Sequence, residues 1–188
     1  VWRDDESDAD VAPEGVVDAR GTDHDVPSTS QCITCHRGSR DFVLGVSAFE
    51  LAQADFDAML AEDLFAGDAR LAEPPGDEVA RAGLGYLHGN CGCCHADASP
   101  VGGVRSLRAR LLFDTASVAE TPFVQTALEQ PALHEIGGTM TLLVAGEPDR
   151  SQVYVRSGLR GDLGMPPLGS EVVDDDGRLL LRAFIEAL

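Results

Sequence analysis

Cys91-Gly92-Cys93-Cys94-His95 is the stretch on which the reading of this chain turns, and Cys32-Ile33-Thr34-Cys35-His36 repeats its pattern fifty-nine residues earlier. Two thiols three residues apart, followed at once by an imidazole, make a compact donor set: two nucleophilic sulfurs and one nitrogen ligand. Four of the five cysteines are used this way, and only Cys93 is left over. A framework of structural disulfides is therefore not expected. Zinc would need further Cys or His ligands at matching spacing beside each motif, and no flanking C-x-x-C partner is present. A thioredoxin-type pair would open a helix inside a βαβ unit, and no such unit is visible.

C-x-x-C-H is the pattern of covalent c-type haem attachment. The two thiols form thioethers with the porphyrin vinyl groups, and the adjacent histidine becomes the proximal iron ligand. Cys32, Cys35, Cys91 and Cys94 are thus the expected attachment residues, His36 and His95 the expected proximal ligands, and two c-type haems the expected cofactors. Only ten of the 188 residues are aromatic. Two porphyrins would supply flat apolar surface that aromatic side chains otherwise provide.

The formal charge is −18 at pH 7, and every basic residue is arginine. Such a surface repels nucleic acid and anionic membranes, so the expected partners are redox proteins with basic or neutral docking faces. No run of about 18 apolar residues occurs, so no membrane span is expected. The sequence opens on Val1 without an apolar signal segment. Because c-type haem is attached outside the cytoplasm, the expectation is an exported protein, periplasmic or extracellular, whose signal has been removed or lies elsewhere. Neither a nucleotide-binding glycine pattern nor a hydrolase nucleophile elbow is present.

Three regions are expected. Residues 1–26 are acidic and turn-rich, an extended segment that reads equally as the tail of something larger or as a processed terminus. A first haem unit spans 27–73. In it Ser47 and Glu50 have the form of a capping box, Asp55 that of a second N-cap, and one or two helices should fill 47–66. Pro74-Pro75-Gly76 marks a boundary, and a second haem unit spans 77–188. A helix there should start at Asp77, with Asp77 paired to Arg81, and run into the second motif. Segments 104–113 and 139–145 read as short strands or extended loops, Ser151 as the cap of a short helix over 151–157, and Asp174–Asp176 as the start of a last helix. On that helix Leu180, Ala183, Phe184, Ala187 and Leu188 make the expected apolar stripe.

Gly164-Met165-Pro166-Pro167-Leu168-Gly169 follows His95 by seventy residues and precedes the last helix. With this loop, 77–188 resembles a class I c-type cytochrome domain, in which a Met-Pro loop supplies the distal sulfur. The resemblance implies His95 as proximal and Met165 as distal ligand. It also implies a mainly α fold, with a class I cytochrome c-like haem domain at the C-terminus preceded by a loop-rich helical haem-binding unit. Residues 22–188 further resemble a family of exported bacterial di-haem cytochromes. They share Val26-Pro27-Ser28 before the first motif, Leu44-Gly45, Tyr86-Leu87, Asn90-Cys91, Gly146-Glu147-Pro148 with Ser151, and the Met165–Gly169 loop. Where that family usually reads Pro-Gly-Asp-Pro, this chain has Ala145 and Glu147. A β-rich region often precedes members, which implies such a region upstream of 1–26.

The distal ligand of the first haem stays open. His24, twelve residues before His36 in a turn-rich stretch, is preferred; His134 and His88 follow, then Met59 and Met140, which fall on apolar stripes. His88 is also placed to bridge the two units or to bond a propionate, and Arg105, Arg108 and Arg110 to pair with propionates or surface carboxylates. Cys93 reads as a passive thiol. A histidine pair gives a lower potential than His/Met, so single electrons would pass from the first haem to the second. Two other readings are a subunit of a conductive cytochrome filament, and a di-haem peroxidase or dehydrogenase-associated cytochrome. The peroxidase would need an open distal position.

Overall fold

A computed structural model describes residues 1–99, 101 and 106–188, with the Arg40 side chain left aside. Six α-helices run through them: α1 (Thr29–His36), α2 (Gln53–Ala61), α3 (Glu78–Cys91), α4 (Pro122–Ala127), α5 (Gln152–Ser157) and α6 (Asp175–Glu186). Strands β1 (Pro131–Ile136) and β2 (Thr139–Thr141) form one antiparallel hairpin. Gly137 and Gly138 turn it with φ of 59° and 78°, the left-handed conformation that a two-residue hairpin loop demands and glycine supplies most readily.

The expectation of a mainly α chain ending in a class I cytochrome c-like domain is corrected here. The described residues are 38% helical and 9% strand, a mixed α-and-loop arrangement in which no cytochrome fold is shown. Glycine and proline account for the difference, with 20 and 10 residues breaking the chain into short elements. α1, α2, α4 and α5 each have fewer than ten residues. No helix among the described residues is long and apolar enough to cross a membrane.

The buried core is drawn from residues 80–185, with Leu84, Leu87, Phe123, Leu143, Leu181, Phe184 and Ile185 at its centre. α3 and α6 cross over it. The Asp77 side chain caps α3 by accepting from the Ala80 N–H at 3.0 Å, and Asp174 caps α6 by accepting from Gly177 N–H at 2.8 Å. Asp77 does not pair with Arg81, which reaches Glu73 at 3.4 Å instead. On α6 the buried stripe is Leu181, Phe184 and Ile185, one step round from the expected one, and Leu180 is exposed. The helices meet where side chains are missing. A Cβ at Gly83 would land on Phe184, and one at Gly177 on the Tyr86 ring.

Before Glu73, Phe56 is the one buried hydrophobic residue among those described. A buried polar contact helps hold this half to the core, beside the exposed Arg70–Asp114 ion pair at 3.0 Å. His88, buried in the last turn of α3, accepts from the Leu111 N–H at Nδ1 (2.9 Å), and its Nε2 faces the Ser47 hydroxyl at 2.8 Å. The first bond fixes the proton on Nε2, which therefore donates to Ser47. Phe49 packs against the ring, with centroids 5.2 Å apart. Ser47 N–H donates to Glu50 at 2.7 Å, half of the expected capping box, yet no helix starts there, and the hydroxyl is shared between His88 and the Phe49 N–H. α2 begins at Gln53, and Asp55 lies inside it. Ser151 does stand at the N-cap of α5, but its side chain makes no capping bond: buried, its hydroxyl accepts from Val144 N–H and donates to the Glu147 carbonyl, each at 2.9 Å.

Two predictions follow from these contacts. Gly83→Ala should lower unfolding free energy by about 1–3 kcal/mol through overpacking against Phe184. Gly85→Ala, in the same helix but facing open space, should raise it by about 0.5–1 kcal/mol; urea denaturation reads both. Burial holds the His88 pKa below its ordinary 6.5. The unfolded chain then binds the proton more readily, so stability is full above pH 6.5 and drains as pH falls from there towards the folded value. Urea midpoints across that window should fall with pH, and His88→Gln should flatten the slope while weakening the protein at neutral pH.

Candidate functional site

The first motif sits on α1. Ser28 starts this helix with a full capping box: its hydroxyl accepts from the Gln31 N–H at 3.4 Å, and Gln31 Oε1 accepts from the Ser28 N–H at 2.9 Å. Cys32 and Cys35 follow at helical i, i+3 spacing and share a side. Cys32 is exposed and Cys35 half-buried. His36 closes the helix with Nδ1 2.7 Å from the Phe42 carbonyl. That bond leaves Nε2 as the nitrogen available to a metal, the usual arrangement in ligating histidines. Phe42, Val43 and Val46, just beyond, are exposed apolar residues.

The second motif straddles the end of α3. Cys91 is its last residue, and the chain continues in a turn where His95 N–H donates to the Cys91 carbonyl at 2.8 Å. The His95 carbonyl accepts from Ala109 N–H at 2.8 Å, which pins the turn to the extended 106–113 segment. Burial lowers the His95 pKa, and Arg108 and Arg156 lower it further against the opposing Leu107 carbonyl. The ring is therefore neutral at pH 7, the form that binds a metal. Its Nδ1 is buried with no hydrogen-bond partner among the described residues. Burial also pushes the Cys91 thiol up to about 12.

The fold brings the two motifs into contact, which their spacing in sequence does not announce. Cys94 Sγ lies 3.2 Å from Cys35 Sγ and 3.9 Å from Cys93 Sγ. Gly38, two residues beyond His36, lies against Ser99, and a Cβ there would come 2.7 Å from the Ser99 Cα. Ser99 in turn donates to the Cys94 carbonyl. Cys93, read as passive, belongs to this cluster. Hydrogen bonding with the Cys35 and Cys94 thiols holds its pKa far below the ordinary thiol value, while the bonds of Cys94 with Cys35 and with Cys93 raise that of Cys94. A C-x-C-C run is the signal that could have raised Cys93 in the sequence.

The other candidates are placed unevenly. Met165, half-buried, donates its N–H to the Arg156 carbonyl at 3.0 Å. The Arg156 guanidinium donates to the Leu163 carbonyl at 2.9 Å, and Arg160 donates to Val172 at 2.6 Å, so two arginines hold the methionine loop. The charge of Arg156 also acts on His95, which puts ring and loop within electrostatic reach of one side chain. His24 is exposed, and no hydrogen bond among the described residues joins it to α1. Its neighbour Asp25 donates its N–H to Glu171 at 3.4 Å, towards the methionine loop. His134 is exposed on β1, and its carbonyl accepts from Gln152 at 2.7 Å. His88 has both nitrogens engaged inside the protein, so its ring cannot serve as a ligand or bridge without breaking them. Met59 is half-buried and Met140 is exposed, not core. Arg108 pairs with Asp97; Arg105 lies outside the described residues.

The donor set suits covalent haem at both motifs. Each motif offers two free thiols and a histidine, with one ring nitrogen already bonded at His36 and a neutral, partly unpartnered ring at His95. The three clustered sulfurs also suit a single metal ion. Two clefts of about 440 and 470 Å³ lie elsewhere, and no cysteine or histidine lines either. Compared with known proteins, the chain matches no family model, no curated protein and no solved structure.

Proposed function

We propose that this chain is an exported di-haem c-type cytochrome that carries single electrons between redox proteins. Cys32 and Cys35 would hold one haem with His36 as proximal ligand; Cys91 and Cys94 would hold the other, with His95 proximal and Met165 distal. Haem bound there supplies one-electron iron chemistry. The observation that carries the reading is the contact between the motifs, with sulfurs of the two sets 3.2 Å apart. Groups tethered at neighbouring sulfurs are held close, as electron exchange between them requires.

The chain's own residues do the positioning. The Phe42 carbonyl orients the His36 ring, and burial keeps His95 unprotonated. Arg156 and Arg160 fix the loop that presents Met165, so a thioether can meet the metal without a large ordering cost. The charge of −18 selects partners with basic or neutral docking faces, and disfavours nucleic acid. The role proposed for these residues is single-electron transfer.

Matured chain should carry two covalent haems by pyridine haemochrome count, and a count below two overturns the reading. Met165→Ala should remove the weak long-wavelength band of a Met–iron bond in the oxidised protein and lower that haem's potential. Persistence of the band would reject Met165.

A further inference from the structure

Haem attachment leaves Cys93 without a role, and its position points to one. Cys35 reaches the cluster from the end of α1, while Cys93 and Cys94 reach it from the turn after α3. Their sulfurs all lie within 4.8 Å of one another, and all three side chains are half-buried. A d¹⁰ cation with metal–sulfur bonds of about 2.3 Å holds tetrahedral thiolates about 3.8 Å apart. The measured separations of 3.2 and 3.9 Å bracket that spacing. Three thiolates are a soft donor set, matched to Zn(II) or Cu(I) and not to Mg(II) or Ca(II).

We propose that the chain in its thiol form binds one thiophilic d¹⁰ cation through Cys35, Cys93 and Cys94, leaving the fourth position to solvent. Each thiol releases its proton to solvent as it coordinates. The site is invisible to spacing rules, because it takes one ligand from the first motif and two from the second. Binding ties α1 to the turn after α3 and occupies two of the four attachment sulfurs. Only this last consequence rests on the haem reading: Cys35 and Cys94 cannot be thiolate ligands and thioethers together, so the cation leaves before attachment is complete.

Full-length chain made without haem attachment, reduced and freed of metal, tests this by titration with Zn(II) alone. One equivalent should bind, and mass spectrometry should show alkylation slowed at Cys35, Cys93 and Cys94 but not at Cys32. Cys93→Ser should abolish one-to-one binding and Cys32→Ser should keep it, with circular dichroism verifying that both variants are folded. Absence of binding, equal protection of Cys32, or full affinity in folded Cys93→Ser would overturn the proposal. The wild-type protection pattern decides even if a variant fails to fold. Matured chain with two haems should bind no equivalent, and retained binding there also overturns the site. Haem count is read separately, so loss of the haem reading and loss of the metal reading give different results.

Discussion

One buried imidazole ties the first half of the chain to the helix that carries the second motif. His88 must be neutral to accept from Leu111 and donate to Ser47, and with both bonds made it joins three distant stretches at the last turn of α3. That turn is the one from which Cys91–His95 departs. The first half of the chain buries little apolar surface of its own, so a satisfied polar contact inside a low-dielectric site carries unusual weight there. Phe49 covers the ring and stacks against Phe113 at 5.5 Å, which keeps water from competing for the bonds.

Around this pivot, small residues set the distances. Gly83 and Gly177 let α3 and α6 approach until the Phe184 and Tyr86 rings touch backbone, and Gly38 lets the end of α1 lie on Ser99. The first approach fixes the helix that leads into the second motif, and the second fixes where the first motif sits beside it. Arginine sets the remaining loop. Arg156 and Arg160 donate to backbone carbonyls of the methionine loop and its neighbours, and so clamp it.

Much of the local structure was legible from the sequence. Asp77 and Asp174 start α3 and α6 as their acidic caps suggest, and Pro74-Pro75-Gly76 interrupts the chain ahead of α3. α1 went unread, since a helix so short and without buried residues leaves no apolar period to notice. Ser47 shows the opposite failure: it has the spacing of a cap, and its hydroxyl goes to His88, a tertiary partner that no local rule contains. The contact between Cys35 and Cys94 is of the same kind. It arises from where α1 and the turn after α3 settle on the core, and the fifty-eight residues between them carry no trace of it. The overall architecture was harder still, because short elements and long loops let glycine and proline outweigh helical propensity.

That contact also imposes an order in time. Synthesis proceeds from the N-terminus at about 5–20 residues per second. Cys35 is therefore made roughly 3–12 seconds before Cys94, an interval in which the first motif can react but the cluster cannot exist.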